Sequence, residues 1–538
     1  MSTPPAVEQQ PRARSRWLPE VRGRVDRVTR GASWTPERRN HWLLVGVAMC
    51  FAVYVLVVVG LRYPLTTDEA IYLSQLNPRV PDYGWVAWRA WGMPILAGPV
   101  ALIDAPLTGV RVYLVALSSV GLFLAFRPWL AVSRQPLAPI AAALFGATSA
   151  AAYNGPLALP NLYSALAAIA ATGYFMTCRR GADNYRRSLV GLVAAIAIAA
   201  LVRPSDSVWL VMPLFLAWLG LAAWRRRAVF GALVLGQVVG WAPWIIESIF
   251  RFEGPLNRLN LSSASLGGTH LYPNLGMVRL YVRLWNTGDP RPVSLNVPVE
   301  FRGGSPTLAT VHLAPAGTLA MIWWIAVVCA ILAGVLGAIL TRRRHQGGLP
   351  VVLMPLLVGL SVVFPYLFMM RYGQLRFLLP AIGLLALPVA AGLIQLGRLP
   401  GPSRRVFAPG LAVVLALALV GVQAVATRPY RASVANADAA FSALIRLIRQ
   451  AEVSQPCAMA GDGSFNVAYQ VGCDHIGRLN RPGAEEPARV ASARGRGETV
   501  VIALREAPPA GTFMDGWRLV TGDVPGQRAP WFVYLPPV

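Results

Sequence analysis

The sequence predicts an α-helical polytopic membrane protein with about 11 transmembrane helices and a small α/β domain outside the membrane. Three observations carry this prediction. The 538-residue chain is 55% hydrophobic with a mean hydropathy of +0.50, and its apolar residues come in long runs. Arginine clusters recur in every second connection between those runs. Beyond residue 427 the runs stop and short helical and strand-like patterns begin.

The net charge is +25, and all 49 basic residues are arginine. They sit mostly in short connections between apolar runs, so they report orientation rather than nucleic-acid binding. No zinc-finger or helix-turn-helix spacing is present, and nucleic acid is excluded as a partner. Residues 1–41 are rich in Pro, Arg and Ser, carry nine arginines from Arg12 to Arg39, and read as a disordered cytoplasmic tail. The first apolar stretch follows this tail and is long enough to remain as an anchor.

The apolar runs expected to span are 42–61, 107–126, 137–153, 160–178, 188–202, 207–223, 228–250, 317–340, 349–370, 377–397 and 406–425. Several are shorter than the ~20 residues a straight crossing needs, which suits helices that line a protein cavity. With the N-terminus inside, the arginine clusters fall in the inner loops, at Arg127/Arg134, Arg179–Arg187, Arg225–Arg227, Arg342–Arg344 and Arg398–Arg405. The expected plan is thus a plasma-membrane, multi-pass domain over 42–427 with long outer loops at 62–106 and 251–316. An extracytoplasmic domain over 428–538 follows it. In that domain Ala439–Glu452 is helical in period, and Thr499–Leu504 and Trp531–Leu535 are strand-like.

The first outer loop opens with Thr66-Thr67-Asp68-Glu69-Ala70-Ile71-Tyr72. A carboxylate in hydrocarbon costs roughly 2.5–3.5 kcal/mol on insertion scales, so paired acids at a span edge mark a candidate site. Thr66-x-x-Glu69 also fits a capping box, in which the acids need only start a helix. That alternative explains Glu69 better than Asp68, and Asp68 is the stronger catalytic candidate. Gly92–Ile103 is apolar but too short to cross, and reads as an interfacial or re-entrant helix.

Four stretches, in this order, resemble membrane glycosyltransferases of the GT-C class, especially family 39, which includes protein O-mannosyltransferases and the bacterial aminoarabinose transferase. They are Asp68–Tyr72; Leu201-Val202-Arg203-Pro204-Ser205-Asp206; Pro243-Trp244 with Phe252-Glu253-Gly254-Pro255; and Arg371-Tyr372 with Arg376-Phe377-Leu378-Leu379-Pro380. Between Trp244 and Phe252 this chain has Glu247 where many members carry a basic or amide residue. The resemblance covers about 42–425. It implies transfer of a sugar from a polyprenyl-phosphate donor to an acceptor hydroxyl on a glycan, lipid or protein of the cell envelope, with inversion.

Asp68, and beside it Glu69, are then the catalytic candidates. Arg203, Arg371 and Arg376 are candidates for the donor phosphate, because guanidinium suits bidentate phosphate contact. Pairing of Arg203 with Asp206, and interface snorkelling of Arg371 and Arg376, are the structural alternatives. Tyr72, His270 and Tyr272 are candidate substrate-loop residues. A divalent metal near His270 is implied only by the aminoarabinose transferase, and no paired ligand spacing supports one here. A lipid or glycan transporter is the competing class, and would show charges in mid-span and repeated halves. A non-catalytic scaffold that works through its outer domain is a third.

Cys457 and Cys473 are the only cysteines in the tail. Outside the cytoplasm, where disulfides persist, they are expected to pair; two buried free thiols are the alternative.

Overall fold

The computed structural model describes residues 35–179, 184–265, 271, 297–298, 318–341, 348–370, 372–398, 404–479, 482–527 and 529–537. Each of the eleven apolar runs contains helix. Among the described residues, seven helices are long and apolar enough to cross a membrane: Pro36–Val59, Leu107–Val132, Tyr185–Val202, Arg227–Arg251, Trp323–Leu340, Gly348–Phe368 and Leu375–Leu396.

The first helix, α1 (Pro36–Tyr54), begins six residues earlier than its apolar run. Thr35 caps it by accepting from the Arg38 amide at 3.3 Å, and Pro36 at the first position has no amide to leave unpaired. A π-helical turn, Val55–Val59, extends it to Gly60, whose φ of +81° ends the helix. Two short helices follow, α2 (Thr67–Ser74) and α3 (Gly92–Ala101), and then α4 (Leu107–Phe126) and the single turn α5 (Trp129–Val132).

The run expected as one span over 137–153 is broken into α6 (Leu137–Gly146) and α7 (Ser149–Asn154). The cause is Thr148, whose hydroxyl accepts from the Ala151 amide and so starts a new helix. Next come α8 (Pro160–Thr177), α9 (Tyr185–Val202), α10 (Pro204–Gly220), α11 (Arg227–Arg251) and α12 (Pro255–Ser265). The second half holds α13 (Thr318–Thr341), α14 (Gly348–Phe368), α15 (Leu379–Leu396) and α16 (Arg404–Gln450).

The core is built around α8 and α15, both buried along most of their length. Such a helix packs on all sides, and small residues let its backbone approach its neighbours. Gly392 of α15 lies so close to α13 that an added Cβ would collide with the Ala330 carbonyl.

The expected boundary at residue 428 falls inside α16, a continuous 47-residue helix. One rod therefore carries the chain from the helical body into the C-terminal domain. That domain has a five-stranded sheet of order β4-β3-β5-β7-β6, from β3 (Cys457–Gly461), β4 (Asp474–Gly477), β5 (Thr499–Leu504), β6 (Arg518–Gly522) and β7 (Trp531–Leu535). Strand β3 pairs in parallel with β4 and β5, while β7 is antiparallel to β5 and β6. A separate two-residue ladder joins β1 (Val297–Pro298) to β2 (Tyr372–Gly373). Between β3 and β4, α17 (Ser464–Val471) crosses over; α18 (Ala488–Gly495) precedes β5.

Cys457 and Cys473 are disulfide-bonded, with Cα atoms 4.7 Å apart. The bond ties the start of β3 to the end of α17, and α17 packs on α2. Three hydrogen bonds fasten the contact: Asn466 Nδ2 to the Leu65 carbonyl, Asn77 Nδ2 to Tyr469 Oη at 2.9 Å, and Tyr83 Oη to the Cys473 carbonyl at 2.9 Å. A closure of ~15 residues contributes about 3 kcal/mol in the chain-entropy model. The Cys457→Ser/Cys473→Ser variant is therefore expected to lose hydrogen-exchange protection across 457–504 while α8 and α15 keep theirs. Unchanged protection in 457–504 would show that the bond contributes nothing.

Candidate functional site

The two adjacent acids of α2 have opposite fates. Thr66 and Glu69 form a complete capping box: the Thr66 amide donates to Glu69 Oε2 at 3.0 Å, and the Glu69 amide donates to Thr66 Oγ1 at 3.3 Å. Glu69 is wholly buried. Its carboxylate also takes both Nη groups of Arg111, with Nη2–Oε2 at 3.1 Å, and the Ala158 amide at 2.7 Å. Arg111, equally buried, donates further to the carbonyls of Pro156, Tyr63 and Pro64. Nothing of Glu69 remains to meet a substrate. In this arrangement its carboxylate locks the loop.

Asp68 points the other way and keeps a third of its side chain exposed. It accepts from Arg89 Nη2 at 2.8 Å and from Arg376 Nη2 at 2.6 Å. Burial pushes its pKa up, but Arg376 and then Arg89 outweigh this and hold the carboxyl well below the usual range. Arg376 comes from the 3₁₀ turn Leu375–Leu378 that opens α15. Arg89 comes from the loop between α2 and α3, and its guanidinium lies 4.8 Å from the ring centre of Tyr72.

The backbone around Arg89 is fixed by a second buried cation. Arg258 of α12 donates to the carbonyls of Ala87 and Arg89, each at 3.0 Å, and of Trp244 at 2.9 Å. It pairs with Glu247 at 2.8 Å, and Trp91 Nε1 donates to the same carboxylate at 3.0 Å. Glu247, the departure from the family pattern, thus neutralises Arg258 and anchors Trp91.

Arg203 stands at the start of α10, 2.9 Å from Asp206. Its Nη2 donates to Tyr366 Oη at 2.6 Å, and that hydroxyl donates in turn to Asp206. Phe377 stacks on Tyr366 with ring centres 5.2 Å apart, and lies 5.0 Å from the Arg203 guanidinium and 6.0 Å from that of Arg376. One ring therefore joins the Arg203 group to the Asp68 clamp. Three cations, Arg89, Arg203 and Arg376, face two carboxylates, Asp68 and Asp206, and 3 − 2 leaves one net positive charge.

A second feature adjoins this cluster. A groove of about 980 Å³ runs between α10 and α14, lined by Trp209, Met212, Leu216, Leu353, Leu357 and Phe364 among other apolar residues. Its upper end is closed by Trp209 against Phe364, with ring centres 5.2 Å apart, and Phe364 is two residues from Tyr366.

Of the residues singled out from sequence, Asp68, Tyr72, Arg203 and Arg376 come together here. Arg371, His270 and Tyr272 lie outside the described residues. Among the described residues, no group of three or more His, Cys, Asp or Glu is placed to hold a metal ion. Sequence reasoning missed Arg89, Arg111, Arg258 and Tyr366. Arg111 carried a usable signal, being an ionisable residue inside an apolar run.

The backbone path matches solved structures across nearly its whole length. ArnT from Cupriavidus metallidurans bound to undecaprenyl phosphate superposes with TM-score 0.55 at 14% identity, covering 92% of this chain and 97% of that one. The chain has the GT-C fold. The apo state of the same ArnT gives 0.55 at 13% identity with the same coverage. Archaeal oligosaccharyltransferase AglB from Archaeoglobus fulgidus gives 0.46 at 13% identity, covering 88% of this chain and 70% of AglB. No protein-family model and no curated protein sequence matches the chain. At these identities the likeness establishes the fold, and the GT-C helices here carry the site just described.

Removing one partner of a buried ion pair costs about 3–5 kcal/mol, because the other charge is left unpaired. Glu69→Gln is therefore expected to lower thermal stability sharply, and Asp68→Asn, at a part-exposed site, to change it little. A melting temperature for Glu69→Gln equal to the wild type would remove the lock.

Proposed function

We propose that this chain is a GT-C glycosyltransferase that moves a sugar from a polyprenyl-phosphate donor to an acceptor hydroxyl, with inversion, on the outer face of the membrane. The observation that carries the reading is Asp68 held between Arg89 and Arg376, beside Arg203 and Tyr366, the latter on α14, the helix that also walls the apolar groove. That combination meets the three needs of a lipid-phosphate donor: apolar walls for the prenyl chain, cations for the phosphate, and a base for the acceptor. ArnT of the same fold binds undecaprenyl phosphate, which supports the carrier class. The acceptor is a cell-envelope glycan, lipid or protein. The inner placement of the N-terminus and outer placement of the C-terminal domain rest on the alternation of arginines.

In this mechanism Asp68 takes the proton of the acceptor hydroxyl while its oxygen attacks the anomeric carbon. The bond from that carbon to the phosphate oxygen breaks, and polyprenyl phosphate leaves with the electron pair. Arg89, Arg203 and Arg376 hold the charge that develops on the phosphate. A carboxylate clamped by two guanidiniums is a weak base. The clamp also supplies its own release: an incoming phosphate competes for Arg89 and Arg376, and a freed Asp68 regains basicity. The charges lie near one end of the helices, at α2, the start of α10 and the start of α15, which favours this reading over a transporter.

Incubating purified protein with a panel of polyprenyl-phosphate sugars should show consumption of one donor and release of polyprenyl phosphate. Asp68→Asn is expected to lower turnover by orders of magnitude while the protein stays folded. The sign of the pH effect follows from the clamp. Because Asp68 is held low in the free enzyme, kcat/KM should persist as pH falls through the ordinary carboxylate range. The acid limb of kcat, which reports the donor complex, should lie higher. Near-wild-type turnover by Asp68→Asn would remove Asp68 as the base.

A further inference from the structure

The helices that carry the Asp68 site enclose a second, unrelated cavity at their other end. It measures about 930 Å³. Four arginines from separate segments line it: Arg127 at the end of α4, Arg134 between α5 and α6, Arg179 after α8, and Arg187 on α9. Arg111 and Arg127 are sixteen residues apart on α4, so the cavity lies about 24 Å along the helix from the Glu69 lock. It shares no residue with the catalytic cluster.

Two features separate this cavity from an ordinary basic loop. Among the described residues no carboxylate lines it, and none of the four arginines has an ion-pair partner. Four guanidiniums converging on one concavity repel one another until an anion enters. The floor, moreover, is apolar, with Ala338 of α13, Val352 of α14 and Ala391 of α15. The cavity also shares Arg179, Trp224, Gly348 and Pro350 with the lower end of the apolar groove. An anionic head with a hydrocarbon chain fits this geometry: the head among the arginines, the chain against the floor and into the groove. A free anion would leave the apolar floor unused. Orientation signalling requires only that the arginines lie on one side, and does not account for their sharing a pocket with an apolar floor.

We infer that this cavity binds the phosphate headgroup of an anionic membrane lipid, on the leaflet opposite the Asp68 site. Guanidinium favours phosphate through paired N–H donors, and the four arginine side chains are exposed and free to close on it. Gln135 and Asn184, whose side chains carry amide donors, also line it.

The test uses the full chain in nanodiscs of phosphatidylcholine containing a trace of photoreactive phosphatidylglycerol, with cross-linked peptides mapped after illumination. Labelling is expected in 127–137 and 184–188. It should fall at least five-fold in Arg134→Ala/Arg187→Ala, and be displaced by unlabelled phosphatidylglycerol. Arg127→Gln/Arg179→Gln gives a second, independent loss if the first variant elutes abnormally. Equal labelling of these segments by photoreactive phosphatidylcholine, or no change in either variant, would overturn the inference. Displacement by inorganic phosphate at the same concentration would assign the site to a free anion and overturn the lipid assignment. The readout does not involve sugar transfer, so its failure is distinct from failure of the proposed catalytic reading.

Discussion

The buried pair between Glu69 and Arg111 is the constraint on which the Asp68 site depends. Through it the capping box of α2, the end of the first span at Tyr63 and Pro64, α4, and the Pro156–Ala158 loop meet at one carboxylate. A buried charge tolerates no slack, since each unpaired lone pair or N–H in a dry site costs free energy. Every oxygen of Glu69 is occupied, so the first turn of α2 has one orientation. The next-door side chain, Asp68, is then turned outward toward Arg89 and Arg376. Two adjacent acids thereby divide the work: one sets the backbone, and the other remains available for chemistry.

The same economy runs through the rest of the site. Arg258 holds the loop that delivers Arg89, and Glu247 keeps Arg258 from being an unpaired buried charge. Asp206 and Tyr366 hold Arg203 in place without fully neutralising the cluster. The result is a positively biased cluster near the closed end of an apolar groove. The C-terminal domain contributes as well, because its disulfide-tied helix α17 presses on α2 and bonds the carbonyl of Leu65 just before the capping box. This domain is mechanically continuous with the α2 loop, through both this contact and the unbroken α16.

Much of this was legible in the sequence because it is local. The apolar runs marked the helices, and Thr66-x-x-Glu69 marked the cap. The strands Thr499–Leu504 and Trp531–Leu535 were marked by their β-branched and aromatic residues. What was not legible depends on contacts distant in the chain. Arg111 meets Glu69 across 42 positions, and Arg376 meets Asp68 across 308. Arg89 sits between Trp88 and Trp91, in a segment with no motif of its own to mark it. Strand β3, Cys457–Gly461, is short and rich in Ala and Gly, and its assignment comes from pairing with β4 and β5 rather than from its own propensity. The break in the run over 137–153 depended on one threonine choosing a cap over a continuing helix.

The central claim is that the clamp around Asp68 is where a polyprenyl phosphate is held. The most direct measurement is a cryo-EM structure of the protein with polyprenyl phosphate added. The account predicts phosphate density within hydrogen-bond distance of Arg89 and Arg376, Asp68 released from at least one of them, and the prenyl chain in the groove between α10 and α14. Phosphate bound elsewhere, with both Asp68 ion pairs intact, would contradict it.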